Sequence, residues 1–361
     1  MRRTCLYEEH IKLGGKMVDF HGWEMPLQYS RILEEHMAVR KAFGIFDVSH
    51  MGDIVIEGND SIKFVDYLFP TKVSKLVVGQ SLYTAFLTED GIIIDDTIIY
   101  RLSENKFFFV PNAGTIELIY KWVMDHSTGF NVKISNVSYD IGSIAVQGPK
   151  AVLVLKEMKY SSPEQFKFSY EKSDHVNKIT GEKNIIVSGT GYTGENGVEI
   201  IGSNEDIVNI WQRLAKLLPR YSGLPCGLGS RDTLRMEKGM LLSGVDFYMN
   251  RDPFECSISF IVDTDHEFIG KEKLMKRKLT DKEIFRGFIL GDKSIPRAGF
   301  PVELNGKTIG KITSGTLSPI LDKGIGLGFI DKQQLKPGMA CEIKIREANH
   351  GATVSKPKIV P

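Results

Sequence analysis

The segment Gly189-Thr-Gly-Tyr-Thr-Gly-Glu-Asn-Gly197 constrains the fold most, because its glycines at 189, 191 and 194 have the spacing of a dinucleotide-binding turn. A doubly wound parallel sheet would follow if those glycines opened a helix whose N-terminus received a pyrophosphate. They do not. The residues after them, Val198-Glu-Ile-Ile201, alternate like a strand, and Asn184 to Ser188 before them is strand-like as well. The segment therefore reads as a glycine-rich hairpin between antiparallel strands. Such a hairpin either brings its backbone and Glu195 close to something flat or bulky, or is a plain turn with an exposed glutamate.

A second strand carries charge where charge is costly. In Gly91-Ile-Ile-Ile-Asp-Asp-Thr-Ile-Ile-Tyr100, two adjacent carboxylates interrupt an apolar run. Side-chain alternation puts Ile94, Asp96 and Ile98 on one face and Asp95 with Thr97 on the other, so Asp96 is expected in the drier setting. Desolvation raises a carboxyl pKa, and a buried carboxylate needs a partner or a task. The alternative is a bulged edge strand with both aspartates solvated or capping a turn.

With 361 residues the chain is long enough for two or three domains, and 42% hydrophobic with 25% charged residues is ordinary globular composition. A formal net charge of +1 gives no overall pull towards nucleic acid or an anionic membrane. Cys5, Cys226, Cys256 and Cys341 lie far apart, which fits reduced thiols in the cytoplasm better than a disulfide frame or a zinc site. The eight histidines form no metal-binding pair, so a metal site would need ligands assembled at long range. No leader-like apolar core or membrane-length apolar run is seen.

Along the chain, residues 13–29 read as irregular and end near Ser30, the expected N-cap of a helix with Leu33 and Met37 one turn apart. His50 reads as a satisfied core histidine, since no nucleophile or paired acid stands beside it. Asp60 to Leu68 is a short helix, and strands at 82–87, 95–96 and 106–110 form an antiparallel set. Thr115 opens a helix with Ile116, Ile119 and Val123 on one face. Gly148-Pro149 precedes a helix with Val152 and Leu155 inward, and a helix bearing Ile207, Ile210, Trp211, Leu214 and Leu218 is stopped by Pro219. Arg231 lies at a helix start, where the macrodipole disfavours it, so it requires an acid: Asp232, Glu237 or a ligand carboxylate. Ser257 to Val262 is expected as a strand, and a charged helical connector reaches about Glu283. Short strands with glycine and proline punctuation follow from Phe285, including Pro301 to Leu304 and Thr308 to Thr313 around an Asn305-Gly306 turn.

Together these stretches resemble the aminomethyltransferase, or T-protein, family of the glycine cleavage system. The resemblance runs in order through Lys16-Met-Val-Asp-Phe-His-Gly-Trp-Glu-Met-Pro-Leu27, Phe46-Asp-Val-Ser-His-Met-Gly52, Gly91-Ile-Ile-Ile-Asp-Asp96, Gln147-Gly-Pro149 and Thr190-Gly-Tyr-Thr-Gly-Glu195. It continues through Gly227-Leu-Gly-Ser-Arg-Asp232, Pro253-Phe-Glu255 and Ile312-Thr-Ser-Gly-Thr-Leu-Ser-Pro319. It implies transfer of a one-carbon unit from the aminomethylated lipoyl arm of the H protein to tetrahydrofolate, the acceptor substrate. Ammonia and 5,10-methylenetetrahydrofolate leave, and no metal is implied. The fold implied is α+β, a three-domain cloverleaf around a central folate channel. Residues 1–52 and 137–262 would form a discontinuous first domain, 53–136 an inserted α+β domain, and 285–361 a C-terminal β-barrel.

By the same resemblance Asp96 is the catalytic carboxylate, while Met51, Tyr83, Asn112, Glu195 and Arg231 bind or orient the folate. Pro111, Thr115 and Ile92 depart from the family's pattern, so different folate contacts are expected there, and Lys358-Ile-Val-Pro361 lacks its usual aromatic and basic ending, which leaves the affinity for the folate tail open. Two rival functions share the fold. One is a folate-dependent demethylase of a small methylated donor. The other is a non-catalytic folate-binding maturation factor, whose Lys-Gly-Cys-Tyr signature is here Lys238-Gly-Met-Leu.

Overall fold

The computed structural model describes residues 1–280 and 282–361. Their contacts divide the chain into two compact units: Met1–Phe86 with Asp95–Arg231, and Leu87–Ile94 with Asp232–Pro361.

In the first unit, a six-stranded sheet orders Phe168–Lys172, Asn184–Ser188, Gly197–Ser203, Ile141–Gln147, Gly44–Asp47 and Leu224–Pro225. Neighbours are antiparallel except the last pair, where Leu224 lies beside Gly44 in parallel. Alternation sends Ile185, Val187, Val198 and Ile200 to one face, and Ile186 and Ile201 to the other. The first face is covered by helix Asn204–Tyr221, whose buried stripe is Ile207, Ile210, Trp211, Leu214 and Leu218. Ser203 caps it, its hydroxyl accepting the Asp206 N–H at 3.1 Å. Pro219 does not end this helix, which runs on to Tyr221 before Ser222 turns left-handed. A proline so close to the C-terminus removes a single ladder bond, which the packed stripe outweighs.

Helix Ala151–Met158 joins the same core through Ala151, Val154, Leu155 and Met158. Val152 is exposed, contrary to expectation, because the helix starts two residues after Pro149 and its inward face is set accordingly.

The other face of the six-stranded sheet meets a five-stranded sheet ordered Ser81–Leu87, Ile93–Ser103, Lys106–Phe109, Ile54–Glu57 and Lys133–Asn136. Tyr100 and Phe108 stack at 4.2 Å between ring centres there and pack with Ile186 and Ile201. Further buried side chains come from helix Ser61–Leu68 through Phe64, Val65 and Leu68, and from helix Ile116–Asp125 through Ile116, Ile119 and Val123.

The stretch read as irregular is a hairpin. Lys16–Phe20 pairs with Trp23–Gln28 across His21 and Gly22, both at positive φ (52° and 83°), the conformation of a two-residue primed turn. The following helix, Ile32–Lys41, begins after Arg31, so Ser30 is not its cap. Its buried face is Glu35, His36 and Val39, while Leu33 points to solvent. Glu35 stays inside because its carboxylate is saturated. It accepts the N–H groups of Tyr29 (2.6 Å), Ser30 (2.9 Å) and Gly227 (2.9 Å) and the Ser230 hydroxyl (3.1 Å).

In the second unit, strands Glu283–Leu290, Lys323–Asp331, Lys307–Ser318, Pro301–Leu304, Ala340–Ile345 and Ala348–Ser355 close into a barrel in that order. Phe288, Val302, Ile312, Ile330, Ile343 and Val354 fill it. Asn305 and Gly306 both take positive φ at the expected hairpin turn. Residues 257–262 do not form a strand. Ser257 has φ of 59°, and the chain then makes one 3-10 turn at Ser259–Ile261. No helix among the described residues is long and apolar enough to cross a membrane.

Candidate active site

Strand Ile93–Ser103 carries the two aspartates, and its faces are covered unequally. Asp95 is fully buried and Asp96 half-buried, the reverse of the order expected from the strand's own neighbours. The cause lies elsewhere in the chain. Residues 112–115 fold over the Asp95 side, and its carboxylate accepts the Asn112 N–H at 2.9 Å, the Asn112 amide at 2.8 Å and the Thr115 hydroxyl at 2.6 Å. Asp96 is reached by two of the residues expected to bind the folate. The Tyr83 hydroxyl donates to its Oδ2 at 2.8 Å and the Asn112 amide to its Oδ1 at 2.9 Å. Burial, followed by the neighbouring Asp95 charge, pushes the Asp96 pKa up to about 7, against the lowering effect of the Tyr83 and Asn112 hydrogen bonds. One asparagine therefore bridges a pair of carboxylates, one of which can exchange a proton near neutral pH.

A second cluster forms around the glycine-rich hairpin. Gly197 is required there because a Cβ would stand 2.2 Å from the Val146 carbonyl, and Gly194 takes φ of 71°. Glu195 leaves this turn half-buried and pairs with Arg40 at 2.8 Å, a partner the sequence did not suggest. The Arg231 guanidinium lies 4.7 Å from the Tyr192 ring centre, and its Nη1 is buried with no hydrogen-bond partner. The acids expected for Arg231 are engaged elsewhere: Asp232 pairs with Arg235 at 2.8 Å, and Glu237 accepts the Ser318 hydroxyl at 2.6 Å. Burial lowers the Arg231 pKa, offset in part by the Glu199 charge.

Met51 lies half-buried next to His50. His50 is in the core as expected but not satisfied there. Its Nδ1 has no partner, and burial brings its pKa down to about 4. The strand that carries the aspartates touches the base of the hairpin through Tyr100, whose hydroxyl lies 3.2 Å from that of Thr190. Asp96, Tyr83 and Asn112 are thus directly joined, whereas Glu195 and Arg231 belong to the hairpin side. Among the described residues no group of three or more His, Cys, Asp and Glu side chains is arranged to hold a metal ion.

A carboxylate pair that can exchange a proton suits chemistry on a donor-bearing ligand, and comparison with known proteins gives this arrangement a family. Residues 6–266 match the family described as GCVT N-terminal domain, and residues 285–360 match the glycine cleavage T-protein C-terminal barrel domain. The chain belongs to the glycine cleavage T-protein family. Among its T-protein relatives, the aminomethyltransferase of Thermotoga sp. (strain RQ2) is 43% identical over 333 residues, 92% of this chain and 90% of that protein. The aminomethyltransferase of Bacillus subtilis (strain 168) is 40% identical over 361 residues, 99% of this chain and 98% of that protein. The crystal structure of the glycine cleavage system aminomethyltransferase T from Bartonella henselae superposes with a TM-score of 0.91 at 27% identity, covering 99% of this chain and 98% of that one. The T-protein identity makes the chain a transferase enzyme. The sequence did not show that Asn112 and Thr115 would hold Asp95, or that Arg40 would hold Glu195. Thr115 stands out there as a helix start and as a departure from the family's pattern, and Arg40 does not stand out, so nothing local marks either as a partner of a distant carboxylate.

Proposed function

We propose that the chain transfers the one-carbon unit from the S-aminomethyl-dihydrolipoyl arm of the H protein to tetrahydrofolate, forming 5,10-methylenetetrahydrofolate and releasing ammonia. Asp96 is the catalytic carboxylate, and Met51, Tyr83, Asn112, Glu195 and Arg231 hold the folate. The observation that carries this reading is the Asp96 carboxyl, raised to about 7 and aimed by Tyr83 and Asn112. A group titrating near the working pH is suited to take the proton that the acceptor amine loses as it attacks the methylene carbon. The carbon–sulfur bond and the bond to the departing ammonia break as the two folate nitrogens close on that carbon. Glu195 accepts from the heterocycle's N–H donors, and the orphaned Arg231 Nη1 donates to a ligand acceptor.

The domain division into 1–52 with 137–262, 53–136 and 285–361 is part of the same proposal. The two sheets support it, since one draws mainly on strands at 44–47 and 141–203 and the other on strands at 54–136, in whose middle the carboxylate pair lies. All four cysteines are free thiols, which supports a cytoplasmic setting.

Asp96→Asn tests the assignment. It keeps the side chain's size and one acceptor oxygen, so tetrahydrofolate binding stays near the native value, while turnover with aminomethylated H protein falls by roughly two to four decades. Native turnover in this variant removes Asp96 from the mechanism.

A further inference from the structure

Glu195 stands on a turn containing glycines at 189, 191, 194 and 197, a segment with little stiffness of its own. Its shape is imposed from outside. Fully buried Gln147 donates through Nε2 to the carbonyls of Thr190 (3.1 Å) and Val198 (3.2 Å), and accepts the Thr193 hydroxyl at 2.8 Å. Arg40 arrives from helix Ile32–Lys41, 155 positions earlier in the chain. Its Nη1 donates to the Thr193 carbonyl at 2.7 Å and to Glu195 Oε1 at 2.8 Å, and its side chain is only 6% exposed. The other Glu195 oxygen, Oε2, has no partner among the described residues, and that side chain is 22% exposed. The carboxylate is therefore divided, one oxygen committed to the protein and one left open.

We propose that Arg40 is a positioning residue for the folate acceptor, fixing the Glu195 carboxylate so that Oε2 faces an N–H donor of the flat heterocycle. The proposal rests on the folate-binding role of Glu195 given above. A charge-assisted bond to an almost fully buried guanidinium is short, directional and little screened by solvent, so it holds both the turn and the carboxylate plane. A lysine ammonium ends a flexible stem and lacks the rigid planar frame that aims the two N–H bonds of Arg40 Nη1, so it holds both acceptors less firmly.

The test is steady-state kinetics of Arg40→Met, Arg40→Lys, Glu195→Gln and the Arg40→Met/Glu195→Gln double variant, with tetrahydrofolate as the varied substrate and thermal melting as a fold control. Arg40→Met raises KM for tetrahydrofolate at least about tenfold with a smaller loss in kcat, and Arg40→Lys raises it by about three- to tenfold. The double variant is no worse than Glu195→Gln alone, because both changes remove the same presented oxygen. If Glu195→Gln raises KM while Arg40→Met stays within about twofold of native, or if the two effects add in full, Arg40 does not act through Glu195. A native KM in Glu195→Gln overturns the role of Glu195 itself, whatever Arg40 does. Should Arg40→Met fail to fold, Arg40→Lys carries the test, and a KM within about twofold of native overturns the proposal.

Discussion

Replacing Asp95 by asparagine separates the charge of the carboxylate pair from its shape. The Asn112 amide reaches Asp95 Oδ1 at 2.8 Å and Asp96 Oδ1 at 2.9 Å, which places the two oxygens roughly 5 Å apart. At an effective dielectric of about 20, two unit charges at that distance repel by about 3 kcal/mol, or a little over two pKa units. Asp96 is half-buried, so water screens part of this, and the expected drop is roughly one to two units from its native value. The direction follows from the cause: Asp95 raises the Asp96 pKa from above, and removing a like charge lowers it. In the role proposed for Asp96 the working form is the carboxylate, so kcat/KM is expected to rise with pH through this pKa. The acid limb near pH 7 in the native enzyme therefore moves to lower pH in Asp95→Asn. The assay is initial-rate transfer from aminomethylated H protein to tetrahydrofolate across about pH 5 to 9 at constant ionic strength. The exchange also leaves one of three donors facing an amide, a loss of about 2 kcal/mol, so folding is followed by melting in parallel. An acid limb that stays in place, or moves to higher pH, in a folded variant refutes the coupling.

Two further outcomes follow from packing. Glu35→Gln turns an amide toward two of the four donors that the buried carboxylate now satisfies, and should cost about 3 kcal/mol, read as a lower urea midpoint. A stability within about 0.5 kcal/mol of native would mean that the donors find other acceptors. Gly197→Ala puts a methyl 2.2 Å from the Val146 carbonyl and should destabilise the first unit by at least about 2 kcal/mol while weakening tetrahydrofolate binding. Native melting and binding together would show that the hairpin yields freely.

Much of this architecture was legible because its signals are local and repeated. The stripe through Trp211, the helix after Thr115, the strand–glycine–strand pattern at 184–201 and the barrel's Asn305-Gly306 turn each follow from the few residues around them. What failed depends on distant partners. The apolar spacing of Leu33 and Met37 pointed the wrong face of helix Ile32–Lys41 inward, because Glu35 is held by backbone at 227 and a hydroxyl at 230. Asp96 was placed in the drier position for the same reason, since the donors that bury Asp95 come from 112–115. His21 reads as an ordinary residue until its positive φ is seen in the turn.

The four donors around Glu35 also set a timetable for synthesis. Two of them, the Gly227 N–H and the Ser230 hydroxyl, lie 192 and 195 positions downstream. At about 5–20 residues per second a ribosome needs roughly 10–40 s to deliver them after Glu35 has emerged. Throughout that interval the nascent first unit has a charged group in water where the finished molecule has a closed joint. Messages truncated before codon 227 would yield a chain in which helix Ile32–Lys41 has its full sequence but only two of the four donors for that acid.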